Sequence, residues 1–358
     1  MQTQKSILWR TWDWLDTRYK LAALADALLH VEIPRTARTY YLGGITLFFF
    51  GVQVVTGILL SLYYQPTPDT AYNSILFIMN EVNFGWLIRS IHAWSANLMI
   101  LFCALHLLRT FFQGVYKAPR EITWGAGVLL LGLTLTFGFT GYLLPWDQRA
   151  FWATTVGTEI AGSVPLVGKW LLVFLRSGPE ITARTLSRFF GMHVLVLPAL
   201  LLAVLTVHLT LVHQQGLADP TAETVETEMA EEVKKKRKLL PFFPNYLLDE
   251  VIAWYVMLAV LVVLASLFPA GLEDPADPLR TPEHVKPEWY FLAVYQGLKL
   301  VPRIVGVTAP LVGVLLLFLL PFLDRNRYRI PRRRPVAIAV AVLLVLLMVA
   351  FTIWGWLS

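Results

Sequence analysis

The sequence predicts an all-α integral membrane protein of seven transmembrane helices, with the N-terminus inside and the C-terminus outside. Three observations predict it. Only 15% of the 358 residues are charged, against about 25% in soluble domains. The apolar residues gather into seven uninterrupted segments long enough to cross a bilayer, which takes about 20 residues each. The basic residues concentrate in alternate connections, as the positive-inside rule requires.

The first element, residues 1–39, is rich in charge and tryptophan, and no cleavable signal peptide is evident in it. Trp12, Trp14, Leu15, Tyr19, Leu21, Leu24 and Leu28 give residues 12–29 the pattern of an amphipathic helix lying on a membrane surface. The expected spans are 40–62, 91–113, 122–144, 189–212, 251–269, 304–323 and 336–357. Helices are required because lipid leaves backbone groups unpaired in anything but a helix or a closed barrel, and the segments lack the alternation of barrel strands.

Two long outer connections, 145–188 and 271–303, carry prolines and tryptophans; ordered loops of that length are usually functional. Residues 214–250 form a charged inner linker, acidic over Glu223–Glu232 and basic over Lys234–Lys238. The expected organisation is therefore an interfacial segment (1–39), a four-helix part (40–213), the linker (214–250) and a three-helix part (251–358).

Orientation follows from Lys5, Arg10, Arg18, Lys20, Arg35 and Arg38, then Arg109, Lys117, Arg120, the Lys234–Lys238 run and Arg325 to Arg334, all on one side. The connection 63–88 on the other side has no Lys or Arg. Topology thus explains the net charge of +6, and no nucleic-acid partner is implied. Cys103 is the single cysteine, inside a span, and it forms no internal disulfide.

Four of the seven histidines lie inside spans: His92 and His106 in the second, His193 and His208 in the fourth. Ionisable groups in lipid are costly and point to function. Fourteen residues separate the first pair, which brings both to within about 40° of one helix face and about 21 Å apart along the axis. Fifteen separate the second, about 60° off and about 22 Å. The second and fourth spans run in the same direction. His92 is therefore expected to face His193 near the outside, and His106 to face His208 near the inside. Two such pairs bracket two planar metal cofactors, and imidazole suits haem iron. Single membrane histidines are often only hydrogen-bonded to neighbouring helices; matched pairs on parallel helices are not explained that way.

Arg89 and Arg109 flank the histidines at spacings that share their face, and are expected to pair with haem carboxylates; snorkelling is the alternative. Gly43 and Gly57, and Gly127 and Gly141, repeat the interval of 14 in the first and third spans. A residue without a side chain lets a flat ring approach the backbone. On the outer side, Pro145-Trp146-Asp147-Gln148 ends the third span and Pro287-Glu288-Trp289-Tyr290 lies in the second long loop. A buried carboxylate there could take a proton from a quinol.

The stretches NFGWLIRSIHAWSAN, PREITW, FGFTGYLLPWDQ, PADPLRTP and PEWYF resemble the cytochrome b family, the membrane core of cytochrome bc-type quinol oxidoreductases, over nearly the whole chain. The likeness is to the plastoquinol-oxidising branch, with its four-helix cytochrome and three-helix subunit IV fused. It implies that His92 and His193 ligate an outer b-type haem and His106 and His208 an inner one, both non-covalent. It implies that Glu288, Tyr290 and Tyr142, with Pro145–Gln148, line an outer quinol-oxidation site, and that an inner quinone site lies near His213. The implied partners are a Rieske iron–sulfur protein, a c-type cytochrome, quinone and a second copy of the chain. The implied location is a bacterial cytoplasmic membrane or a photosynthetic one.

Three positions depart from that branch. Tyr41 stands where it has a haem-attaching cysteine, so no covalent haem is expected. His213 stands where it has an arginine and the mitochondrial branch a quinone-contacting histidine. Lys238 stands where the mitochondrial branch has an acid before its Pro-Phe pair, here Pro241-Phe242, which leaves the inner proton donor unassigned. The other functions open to such a chain are a di-haem membrane anchor of a dehydrogenase and a haem-free transporter.

Overall fold

The computed structural model describes residues 6–29, 31–35, 41–219, 221–229, 239–283 and 285–358. Arg38, Glu231, Glu232 and the Lys234–Lys238 run fall outside the described residues.

Among those residues, seven helices are long and apolar enough to cross a membrane: Leu42–Ser61, Gly85–Phe112, Glu121–Tyr142, Ala183–Gln215, Phe242–Leu267, Arg303–Leu323 and Pro335–Leu357. The second, fourth and fifth start well before their expected positions. Their first turns are polar or amphipathic, so hydropathy does not register them. Gly85 explains the second: its missing Cβ leaves room for the carbonyl of Ile78, the helix Ala71–Asn80 packing directly against the start of the span.

The first span packs along the second and the third along the fourth, with the fifth against the first two and the sixth against the third. Ile45, Phe49, Met99, Leu201 and Leu261 bring spans one, two, four and five into one buried cluster. The outer connection 145–188 is helical rather than irregular. Gln148–Gly162 is capped by Asp147, whose Oδ1 accepts from the Ala150 N–H at 2.8 Å, and Gly168–Arg176 follows.

Two features differ from the expected pattern. The surface segment forms two helices, Ile7–Tyr19 and Leu21–Leu29, not one over 12–29. Lys20 breaks it at φ 51°, donating its N–H to the Asp16 carbonyl, while the Asp16 carboxylate accepts from Ala22 N at 2.6 Å. One acid thus stops the first helix and starts the second. The otherwise helical fold also contains a small antiparallel ribbon, β1 (Glu32–Pro34) with β2 (Leu239–Pro241). Three-residue strands leave no periodicity to read in a sequence.

The arginines between spans six and seven are more than topological markers. Arg334 is 1% exposed. It donates to the carbonyls of Arg329 (3.0 Å), Phe111 (2.9 Å) and Phe112 (2.8 Å) and to the Tyr116 hydroxyl (3.0 Å). Tyr116 donates to Asp324, which also holds Lys117 at 2.7 Å. Gly114, at φ +62°, lets the backbone of Arg329 approach. This network ties the turn after span two to the loop before span seven. Arg334→Ala is expected to cost about 3 kcal/mol or more, because it strands buried acceptors and unbalances Asp324. Thermal unfolding in detergent checks this against Arg325→Ala, at an exposed position, which should stay within about 0.5 kcal/mol of wild type.

Candidate functional site

The end of the bundle holding His92 and His193 is called outer here, after the expected orientation, and the end holding His106 and His208 inner. Each of the four glycines that repeat the histidine interval faces one of the four imidazoles. A Cβ on Gly57 would stand 3.4 Å from His92 Cε1, and on Gly141 2.6 Å from His193 Cε1. On Gly43 it would stand 3.2 Å from His106 Cε1, and on Gly127 3.5 Å from His208 Cε1. The flat ring that the glycines admit in this structure is therefore the imidazole itself. Span one seats the histidines of span two, and span three those of span four.

Hydrogen bonds decide which ring nitrogen is available. Thr56 Oγ1 donates to the Val52 carbonyl at 2.7 Å, so it accepts from His92 Nδ1 at 2.8 Å. Thr140 Oγ1 donates to Thr136 O at 3.0 Å and accepts from His193 Nδ1 at 3.1 Å. His208 Nδ1 lies 3.0 Å from the Thr123 carbonyl, which can only accept. In all three, Nδ1 carries the proton and Nε2 presents a lone pair, the state that a metal ligand needs. Gln53 fixes the same turn, donating to the His92 carbonyl at 2.6 Å.

The His92 and His193 rings stand with centroids 6.4 Å apart. Two imidazoles on opposite sides of one metal, with bonds of about 2 Å, have centroids about 6 Å apart. Among the described residues no group of three or more His, Cys, Asp or Glu could hold a metal ion. A two-imidazole site needs its other ligands from the cofactor, as in a macrocycle. The donor set, its tautomers and its separation therefore fit a haem iron.

His193 lies in a π-helical turn, Met192–Val196, where the Leu197 N–H reaches back to Met192 O. A π turn takes in an extra residue. It accounts for an interval of 15 in span four opposite 14 in span two, and brings His193 toward the face of His208. Pro198, just after this turn, has no N–H for a regular helical bond. The unequal intervals and this proline were the signal in the sequence.

Arg89 lies at the outer end as expected, but its guanidinium donates to the carbonyls of Ala270 (2.5 Å) and Gly271 (2.8 Å). Arg109 occupies the last turn of span two.

A second cluster forms where the two outer connections meet. Gln148 N donates to Asp274 O at 2.9 Å, Ala276 N to Trp146 O at 3.1 Å and Glu273 N to Asp147 Oδ2 at 3.3 Å. Beside this joint, Glu288 occupies the N-cap of helix Trp289–Leu298, yet its side chain makes no capping bond. The carboxylate is left for other chemistry. Trp289 Nε1 donates to Asn97 Oδ1 of span two at 2.7 Å, and the Tyr290 ring lies over Gly138 of span three. The Tyr142 hydroxyl is buried, with the Arg149 guanidinium beside it. Burial pushes the Glu288 carboxyl above the usual carboxylate range, and the Arg149 guanidinium draws it back. Burial also raises Asp147, against the pull of the Ala150 and Glu273 amides. Burial and Glu288 raise the Tyr290 phenol.

At the inner end, His213 is exposed in the last turn of span four. Nothing in the sequence marks Glu250 as part of a site. Its carboxylate backs Gly44, next to the glycine that seats His106. Tyr41 packs on Tyr246 at 5.5 Å and donates to Asp249 Oδ2 at 3.2 Å, so spans one and five meet at this acid pair. An acid at the edge of an apolar run looks like an ordinary helix start; only packing distinguishes it.

Residues 30–216 match the family described as Cytochrome b/b6/petB, and residues 275–358 match Cytochrome b(C-terminal)/b6/petD. A cytochrome bc complex cytochrome b subunit of Chlorobaculum thiosulfatiphilum is 44% identical, over 87% of this chain and 73% of that one. A cytochrome b6 of Acaryochloris marina is 42% identical, over 59% of this chain and 99% of its own length. A chain from a hyperthermophilic respiratory Complex III superposes with TM-score 0.86 at 33% identity, covering 96% of this chain and 90% of that one.

Gly141→Ala is expected to drive a methyl group into His193 and displace its ring. Gly127→Ala meets only ordinary contact, and Gly51→Ala meets nothing within 4 Å. Extractable haem per purified chain should fall in the first variant and stay unchanged in the other two.

Proposed function

This chain belongs to the cytochrome b family, and we propose that it oxidises quinol at its outer end and reduces quinone at its inner end, coupled to proton translocation. It is a multi-span cytochrome b subunit of a bc-type complex. The observation that carries the finer reading is the pairing of His92 with His193, their centroids 6.4 Å apart and both rings with Nδ1 committed, which leaves Nε2 for a ligand.

His92 and His193 would hold one b-type haem, and His106 and His208 a second. When bound, these groups supply one-electron redox centres at two depths of the membrane. Thr56, Thr140 and the Thr123 carbonyl hold three of the ligating rings in one tautomer, and the four glycines seat each ring against the neighbouring helix.

A quinol gives up two protons and two electrons on becoming a quinone. At the outer end, Glu288 accepts a proton at its carboxylate from a quinol hydroxyl. The buried Tyr142 hydroxyl, with the Arg149 guanidinium beside it, is positioned to bind the ring oxygen. Tyr290 and Trp289, fixed on spans three and two, close the site against water. At the inner end, Glu250 and His213 would bind and protonate the quinone. Arg89 and Arg109 would meet haem carboxylates at the two boundaries, Arg89 after leaving the Ala270 and Gly271 carbonyls. A Rieske protein and a c-type cytochrome as partners, a homodimeric assembly, and a bacterial cytoplasmic or photosynthetic membrane complete the proposal. A dehydrogenase anchor or a transporter gives no role to a half-buried acid that makes no capping bond beside a buried tyrosine hydroxyl.

The test is a reduced-minus-oxidised spectrum of the purified protein with acid-acetone extraction. Two extractable b-type haems per chain support the proposal, and no haem sinks it. A second prediction concerns Glu288. It accepts a proton only when ionised, and its proton affinity is raised, so quinol oxidation should increase with pH through a midpoint above the ordinary carboxylate range. Glu288→Gln should slow steady-state quinol oxidation by about 100-fold and abolish that limb of the pH profile; unchanged turnover would remove Glu288 from the mechanism.

A further inference from the structure

Helix Gly168–Arg176 is held firmly on one side and bare on the other. Its inner side is fixed to helix Gln148–Gly162. Gly162 leaves room for Leu172, and Gly168 brings its backbone against the Gly162 carbonyl. The buried Arg176 donates to Thr158 Oγ1 (2.7 Å) and to the carbonyls of Thr155 (2.9 Å) and Pro179 (2.9 Å), and it pairs with Glu159 at 2.8 Å. The opposite side exposes Leu166, Val167, Trp170, Val173 and Phe174. Trp170 is 67% exposed, and Phe174, on which it stacks at 5.2 Å, is 44% exposed. Leu166 is wholly exposed at φ 69°, a conformation that bulky residues disfavour. The fold gains nothing from any of these side chains, and a contiguous apolar patch of this kind marks an interaction surface.

The level of the helix in the molecule says what covers it. The span Ala183–Gln215 has 33 residues, about 50 Å of helix against roughly 30 Å of hydrocarbon. Its first turns, with Arg184 and Arg188, therefore stand in the headgroup region, and its apolar run starts at Phe189. Helix Gly168–Arg176 is bound at this level. Thr185 Oγ1 donates to Arg176 O at 2.6 Å, and Ser177 Oγ to Arg184 O at 3.4 Å. Arg188 donates to Phe174 O and lays its guanidinium 5.5 Å over the Phe174 ring. Two turns further into the membrane, Val194, Leu195 and Val196 are all exposed. The side of span four that carries Arg188 and Phe174 thus continues as bare apolar surface.

We propose that helix Gly168–Arg176 is an interfacial anchor whose apolar face rests in the outer leaflet of the bilayer. Leu166, Trp170 and Phe174 lie at the boundary of headgroups and acyl chains, the depth that suits an amphipathic indole. Lys169, Arg184 and Arg188 lay their stems on this surface and reach lipid phosphates with their charged ends. Because Arg176 ties the anchor to Thr155, Thr158 and Glu159, the leaflet also steadies the helix that begins at Asp147. The anchor is independent of the quinol chemistry proposed above.

The experiment places the purified complex in bilayers of phosphatidylcholine and phosphatidylglycerol and measures the depth of single nitroxide labels. The one cysteine of the chain, Cys103, is buried, so a label attaches at an added thiol. Trp170→Cys and Val173→Cys sample the face. Leu346→Cys, exposed in span seven, is the lipid control, and Glu180→Cys, exposed in the connection, is the aqueous control. Haem content per chain checks folding. Relaxation by oxygen, which concentrates among acyl chains, is compared with relaxation by a water-soluble nickel chelate. The Trp170→Cys and Val173→Cys labels should respond more to oxygen, as the Leu346→Cys label does, while the Glu180→Cys label responds more to nickel. Val173→Cys keeps both aromatic rings and decides the matter if the two labels differ. Labels on the face that follow Glu180→Cys would place it in water and overturn the proposal. Labels shielded from both agents would mean that another subunit or a second copy covers the face, which overturns it equally.

Discussion

An imidazole inside a bilayer must satisfy two ring nitrogens with no water to help, and the rest of this structure depends on how that is met. His92, His193 and His208 each give Nδ1–H to a threonine hydroxyl or a carbonyl on the neighbouring helix. The second nitrogen is left for something outside the protein. For that bond to form, the neighbouring backbone must come close, and glycine is the residue that allows it. Helix pairing, helix depth and the glycine interval are consequences of the same contact. The bundle is assembled from two similar pairs, one span carrying ligands and the other a wall of small residues and threonines.

The outer site obeys a different constraint. Its parts come from the four-helix and the three-helix parts of the chain, so it exists only where the two outer connections are locked. The backbone bonds of Gln148, Glu273 and Ala276 do the locking, and Trp289 and Tyr290 extend it into the membrane through Asn97 and Gly138. Glu288 is half-buried by this arrangement and left without a capping bond.

Much of this was legible in the sequence because it is written in intervals. Span length, the histidine spacing and the glycine spacing are all one-dimensional signals of a helix. What the glycines touch was not legible, since an imidazole and a larger flat ring ask for the same absent side chain. The helix break at Lys20 depends on one left-handed residue, and the ribbon between β1 and β2 on three-residue strands. Arg334 looked like a cytoplasmic charge because loop arginines usually are; its burial comes from carbonyls more than two hundred residues away. Glu250 and Arg149 were hidden for the same reason: each is ordinary in its own segment and becomes significant only beside a distant one.

The fasteners between the two parts of the chain lie at both membrane faces. On one side are the ribbon, the Tyr41–Asp249 bond and the Arg334 network; on the other are the loop joint and the Trp289–Asn97 bond. The ribbon and Asp249 belong to the connecting segment 214–250, whereas the Arg334 network, the loop joint and the Trp289–Asn97 bond lie outside it. Covalent continuity raises the effective concentration of the latter contacts without shaping them. A molecule nicked between them would remain whole, and the same architecture is open to a lineage that makes it from one gene or from two.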